Sequence, residues 1–122
     1  MPKRDLEIIR ALLLRAEEAP LDEGEFVYGM VDFMDAVTEA EAYHLILMRD
    51  AGLVEGRDAN LGLFRITNSG HDYLDTIRNE GVWVKTKQIV AAEGGSMALE
   101  LVKSLALGFA RKQVEDRTGM KL

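Results

Sequence analysis

At 122 residues, with 48% hydrophobic and 30% charged residues, the chain has the length and composition of one globular domain with a real core, which excludes a disordered polypeptide. The lack of cysteine excludes a disulfide framework or a thiolate site, and two histidines, His44 and His71, leave little for a zinc site. A net charge of -6 disfavours duplex DNA unless a local basic patch exists, and no apolar leader or membrane-length run is present, so a cytoplasmic protein is expected.

Asp5 to Ala19 has the spacing of an amphipathic helix, with Leu6, Ile9, Leu12, Leu13 and Ala16 inward and Pro20 ending it. An acidic turn, Leu21 to Glu25, follows. Phe26 to Val37 fits either state: a short strand near Phe26-Tyr28, or one helical turn through Met30, Val31, Phe33 and Met34. A short strand followed by a short second helix would satisfy a winged-helix layout. Thr38 then caps a helix to Asp50, with Glu41 placed to complete a capping box and Ala42, Leu45, Leu47 and Met48 inward. The helix stops at Ala51-Gly52, where Gly52 suits a left-handed turn. Val54 to Asp58 and Leu63 to Thr67 read as two strands around Ala59-Asn60-Leu61-Gly62, with positive φ expected at Asn60 and Gly62. Thr67 or Ser69 caps a helix to about Glu80, with Tyr73, Leu74 and Ile77 inward and Gly81 as its stop. Val82 to Ala92 forms a further helix carrying Trp83. Gly94-Gly95-Ser96 breaks it, and Ser96 caps a last helix from Met97 to about Asp116, leaving a frayed tail.

Three blocks stand out: KRDLEIIRALLLRAEE, YHLILMRDAGLVEGRD and ITNSGHDYLDTIRNEGVWVKTK. Together with the Gly-Gly-Ser break and the last helix, they resemble a family of small bacterial, prophage and phage proteins known as domain of unknown function 2513. The resemblance implies a winged-helix-like fold and a phage or mobile-element setting, and it implies no activity. Glu41 departs from the usual pattern, in which an apolar residue precedes Leu45 by one turn.

The fold expected is mainly α with a small β-hairpin wing. Residues 1–80 would form a winged helix-turn-helix domain and residues 81–122 a C-terminal helical extension. In such a domain the helix from Thr38 would face the major groove. Its outward residues are Glu39, Ala40, Tyr43, Ile46 and Asp50, and none is Lys or Arg. Arg49, Arg57 and Arg65 are the nearby cations available for a nucleic-acid contact. Glu39, Tyr43 and Ile46 read better as a protein contact, because an apolar pair among carboxylates suits a partner and repels phosphate. His71-Asp72 with Asp75 lacks a nucleophile or a metal, and Gly94-Gly95 follows no strand, so no catalytic residue, cofactor or metal is expected. The last helix is apolar nearly all round, so Leu101, Leu105 and Phe109 are expected at a homodimer interface. The resulting expectation is a non-enzymatic regulator or adaptor with an unidentified protein partner. The alternative is a dimeric DNA-binding transcriptional regulator.

Overall fold

The computed structural model describes residues 3–19, 29–33 and 36–122. The expected acidic turn, the strand near Phe26-Tyr28 and the placement of Met34 lie outside those residues. The described residues are mainly helical, with five α-helices and a small three-stranded antiparallel sheet. The chain divides into two compact units, Met1–Leu74 and Asp75–Leu122.

In the first unit, Asp5 starts α1 (Leu6–Glu18) by accepting the Glu7 N–H at 2.9 Å. Ile9, Leu12, Leu13 and Ala16 are buried along one face, and Ala19 leaves the helix extended, the conformation that a following proline requires. Helix α2 (Glu39–Asp50) opens with the capping box its sequence announces. Thr38 Oγ1 accepts from Glu41 N at 3.1 Å and Glu41 Oε1 accepts from Thr38 N at 2.9 Å. Glu41 Oε2 also meets Arg15 of α1 at 3.5 Å, while Arg15 donates to the Ala36 carbonyl at 2.9 Å and covers the Phe33 ring at 4.0 Å. A carboxylate at position 41 therefore ties two helices together where an apolar residue would only pack.

His44 makes a second tie. It is buried, its Nδ1 donates to the Ala40 carbonyl at 2.7 Å, and its Nε2 accepts the Asp5 N–H at 2.8 Å. The acceptor role at Nε2 fixes the neutral Nδ1–H tautomer. The imidazole thus joins the cap residue of α1 to the first turn of α2.

Helix α2 ends in a Schellman turn. Gly52 N donates to the Arg49 carbonyl at 3.0 Å and Leu53 N to the Met48 carbonyl at 2.9 Å, with Met48 and Leu53 both buried. Gly52 has φ +79°, which a residue with a Cβ adopts only under strain.

Strands β1 (Val31–Asp32), β2 (Val54–Glu55) and β3 (Leu63–Ile66) lie in the order β1-β3-β2, with Val31 opposite Phe64 and Val54 opposite Ile66. Leu45, Met48, Val54, Phe64 and the apolar face of α1 are all buried in the core of this unit.

Several boundaries differ from the sequence reading. Val31 is a strand residue, not helical, because pairing with Phe64 buries it. Among the described residues no second helix joins β1 to α2; Ala36 N donates to the Phe33 carbonyl at 2.9 Å. The first hairpin strand stops at Glu55 rather than Asp58, because Arg57 and Asp58 lead the chain into a 3-10 turn (Ala59–Leu61) within the expected loop; the second starts at Leu63 as expected and ends one residue early, at Ile66. Gly62 is left-handed as expected, but Asn60 is not: it lies inside that turn.

Helix α3 (Asn68–Ile77) is capped by Thr67, whose Oγ1 accepts from Gly70 N at 3.0 Å. It stops at Ile77 rather than near Glu80. Asn79 then caps α4 (Glu80–Ala92) by accepting from Val82 N at 3.1 Å, so Gly81 sits inside a first turn and stops nothing. In the second unit α4 runs antiparallel to α5 (Leu99–Thr118), as the proximity of Asn79 to Gln113 at 3.5 Å requires. Ser96 does not cap α5, which begins after Ala98 without a side-chain cap, and the helix continues two residues past Asp116. Val82, Trp83, Thr86 and Val90 of α4 and Val102 and Ala106 of α5 are buried.

Two glycines give opposite tests. Gly52→Ala meets open space and should cost about 1 kcal/mol, for backbone strain alone. Gly70 has ordinary helical geometry, yet a Cβ there would stand 2.0 Å from the Leu53 carbonyl oxygen. Gly70→Ala should therefore cost about 3 kcal/mol or more, although helix propensity alone favours alanine by about 1 kcal/mol. Urea unfolding of the two variants measures the order; equal costs would mean that α3 does not pack this closely on Leu53.

Tyr73 is fully buried, and its hydroxyl is the one buried side-chain polar atom without a partner among the described residues. Burial pushes its pKa up to about 12, with Arg4 pulling weakly the other way. The folded state then holds a proton that the unfolded state releases near pH 10. Stability from this group is complete below pH 10 and is lost as pH rises towards 12, by about 2–3 kcal/mol. Tyr73→Phe should flatten this alkaline loss, read as denaturation midpoints between pH 9 and 12, and should be neutral or stabilising at pH 7.

Candidate protein-interaction surface

At about 100° per residue, Glu39, Tyr43, Ile46 and Asp50 fall within roughly 60° of one another on α2, opposite Leu45 and Met48. Glu39 and Asp50 are exposed, and Tyr43 and Ile46 are half-buried. The Tyr43 ring stands edge-on to His44, with centroids 5.9 Å apart, so the residue that points outward leans on the one that pins α2 to α1. The face is an apolar strip between carboxylates and carries no cation.

The three arginines expected near it are not equivalent. Arg49 donates to the backbone carbonyls of Gly56 at 3.4 Å and Arg57 at 3.1 Å, so it holds the β2–β3 hairpin against α2. Arg65 pairs across the strands with Glu55 and donates to the Ile66 carbonyl at 3.3 Å. Arg57 alone extends from the hairpin as an exposed cation. Two of the three thus have their donors committed within the unit: Glu55 offsets the charge of Arg65, and Arg49 keeps its charge but spends its donors on carbonyls that a phosphate would have to displace.

His71 and Asp72 are exposed, and Asp75 binds Arg78 at 2.8 Å. The buried, doubly bonded histidine is His44. His71 instead lines a cleft of about 470 Å³ with Glu17, Met30, Arg65, Ile66 and Asn68. Among the described residues no three His, Asp or Glu side chains gather as metal ligands would.

In the second unit, Leu101, Leu105 and Phe109 recur every fourth residue on α5 and form one stripe. Leu101 is 59% exposed, and Leu105 and Phe109 are half-buried. The stripe runs into a groove of about 250 Å³ between α4 and α5, bounded by Val82, Lys85, Phe109, Lys112, Asp116 and Arg117. Leu107 and Val114, 44% and 45% exposed, leave a second apolar strip uncovered. No helix of the described residues is long and apolar enough to cross a membrane.

Charge divides unevenly. Residues 1–74 hold 7 Lys and Arg against 15 Asp and Glu, a net of -8; residues 75–122 hold 8 against 6, a net of +2. The total of -6 conceals this division, which summing charge on either side of residue 74 exposes.

No solved structure matches the chain. An uncharacterized protein of Haemophilus influenzae is 30% identical over 110 residues, covering 85% of this chain and 92% of the relative. A family model matches residues 3–96, from the start of α1 through the end of α4, and so takes in the capping box, the Gly52 turn and the hairpin. The chain therefore belongs to the family described as hypothetical protein (DUF2513).

Proposed function

We propose that the chain is a non-enzymatic regulator or adaptor with a winged-helix domain, acting in the cytoplasm through protein contacts made by the outer face of α2. The element order α1-β1-α2-β2-β3 and the sheet order β1-β3-β2 support the winged-helix reading, with the β2–β3 hairpin as wing. Residues 1–80 would form this domain and 81–122 the extension, which dimerises along Leu101, Leu105 and Phe109. The family resemblance favours a phage or mobile-element origin.

One observation carries the reading. The helix face that would enter a groove presents Glu39 and Asp50 around Tyr43 and Ile46, while Arg49 and Arg65 are engaged within the fold. Carboxylates facing phosphates repel, whereas an aromatic and an aliphatic anchor suit a protein surface. The second reading, a dimeric DNA-binding regulator, is favoured by the exposed Arg57 on the hairpin.

Duplex DNA should bind no tighter than the non-specific range of about 10⁻⁴–10⁻⁶ M at physiological salt in a mobility-shift titration. Tyr43→Ala and Ile46→Ala should each retain a cooperative melt and lose one and the same captured protein partner. Nanomolar, sequence-specific duplex binding that disappears on Arg57→Ala would overturn the protein-contact reading in favour of the second.

A further inference from the structure

The groove between α4 and α5 holds more cations than carboxylates among its lining residues. Lys85, Lys112 and Arg117 are exposed and take part in no ion pair among the described residues, whereas Arg15, Arg65 and Arg78 each pair with a carboxylate. Asp116 in the same groove offsets one of the three charges. The groove is not purely polar. Phe109 lies in it, and Leu105 and the largely exposed Leu101 continue the line one and two turns earlier on α5. It therefore asks for an occupant with acidic groups near Lys85 and Lys112 and apolar groups beside Leu101 and Leu105.

The outer face of α2 has that composition. Glu39 and Asp50, at the two ends of the 12-residue α2, bracket Tyr43 and Ile46 over about 16 Å of helix. From Leu101 to Arg117 α5 offers about 24 Å. A helix laid along a groove between two antiparallel helices is a recurrent recognition geometry. Charge decides which surfaces can meet. Two α2 faces would oppose carboxylates on units of net -8, and two grooves would oppose cations; an α2 face on a groove joins -8 to +2.

We propose that the occupant of the α4–α5 groove is a second copy of this chain, seated through Glu39, Tyr43, Ile46 and Asp50 of its α2. The proposal rests on the reading of the α2 face as a protein contact, and names the partner.

Analytical ultracentrifugation of the full chain tests it. Self-association should be present at high micromolar concentration and should weaken as salt rises. Lys85→Glu/Lys112→Glu and Glu39→Lys/Asp50→Lys alter only exposed positions, so both double variants should melt normally. Each alone should associate roughly tenfold more weakly or less, because one side of every contact is reversed. Mixed together they should associate again, since each then meets a face of opposite sign. A monomer at all concentrations overturns the proposal. So does association that ignores both reversals yet vanishes on Leu105→Asp, which would place the contact between two α5 helices. A monomer that still loses a captured protein on Tyr43→Ala overturns the self-contact and leaves the protein-contact reading standing. Tight duplex binding through Arg57 defeats both.

Discussion

Four elements meet at the backbone of Gly52 and Leu53, and the N-terminal unit depends on how closely they do so. The Schellman turn ends α2 there and starts β2. Thr67, between β3 and α3, donates its backbone N–H to the Leu53 carbonyl at 3.0 Å and its hydroxyl to the Gly52 carbonyl. The same hydroxyl accepts from Gly70, whose missing side chain lets α3 pass against the Leu53 carbonyl. Polar groups that would be left over at a helix end, a strand end and a helix start therefore satisfy one another at a single point. With that node set, the strand order and the direction of α2 follow, and so does the position of the acidic face on α2.

Internal use of cations governs what the first unit shows to its surroundings. Arg15 bridges Glu41, the Ala36 carbonyl and the Phe33 ring, Arg49 fastens the hairpin, and Arg65 pairs with Glu55. Each is held by geometry as well as charge, so little of this positive charge reaches solvent as a patch. The carboxylates of α2 have no such duty, apart from Glu41, and they dominate its outer face. The second unit is built the other way, with its groove cations left unpaired. A weakly charged whole would hide this contrast, because the two halves partly cancel.

Features set by neighbours in sequence were legible. Thr38 with Glu41, Ala51-Gly52-Leu53, and the burial of Leu45 and Met48 each depend on contacts within about one turn, and the structure keeps them. Features set by distant partners were not. Val31 is a strand residue because Phe64 pairs with it, thirty-three residues on. His44 entered the sequence reading only as a poor zinc candidate, and its ring is committed to the Asp5 backbone, thirty-nine residues earlier. Asn79 was passed over because Gly81 is the stronger stop signal on paper; a side-chain cap two residues earlier starts a new helix and overrides it. For the candidate surface, the membership of the α2 face was legible from the 3.6-residue period, but the engagement of Arg49 and Arg65 was not, since their acceptors are backbone carbonyls and a cross-strand carboxylate fixed only by the fold.

The attachment of the hairpin to α2 has one more implication. Arg49 grips main-chain oxygens at positions 56 and 57, and takes no notice of the side chain that follows. Gly56 is bound by its surroundings, since a Cβ there would stand 2.7 Å from the Leu63 carbonyl oxygen. Position 57 is under no such restriction, and Asn60 and Leu61 are likewise exposed. The mount and the decoration of the hairpin are therefore separable. A chain keeping the arginine can change the charge and shape of the tip while the scaffold that presents it stays the same.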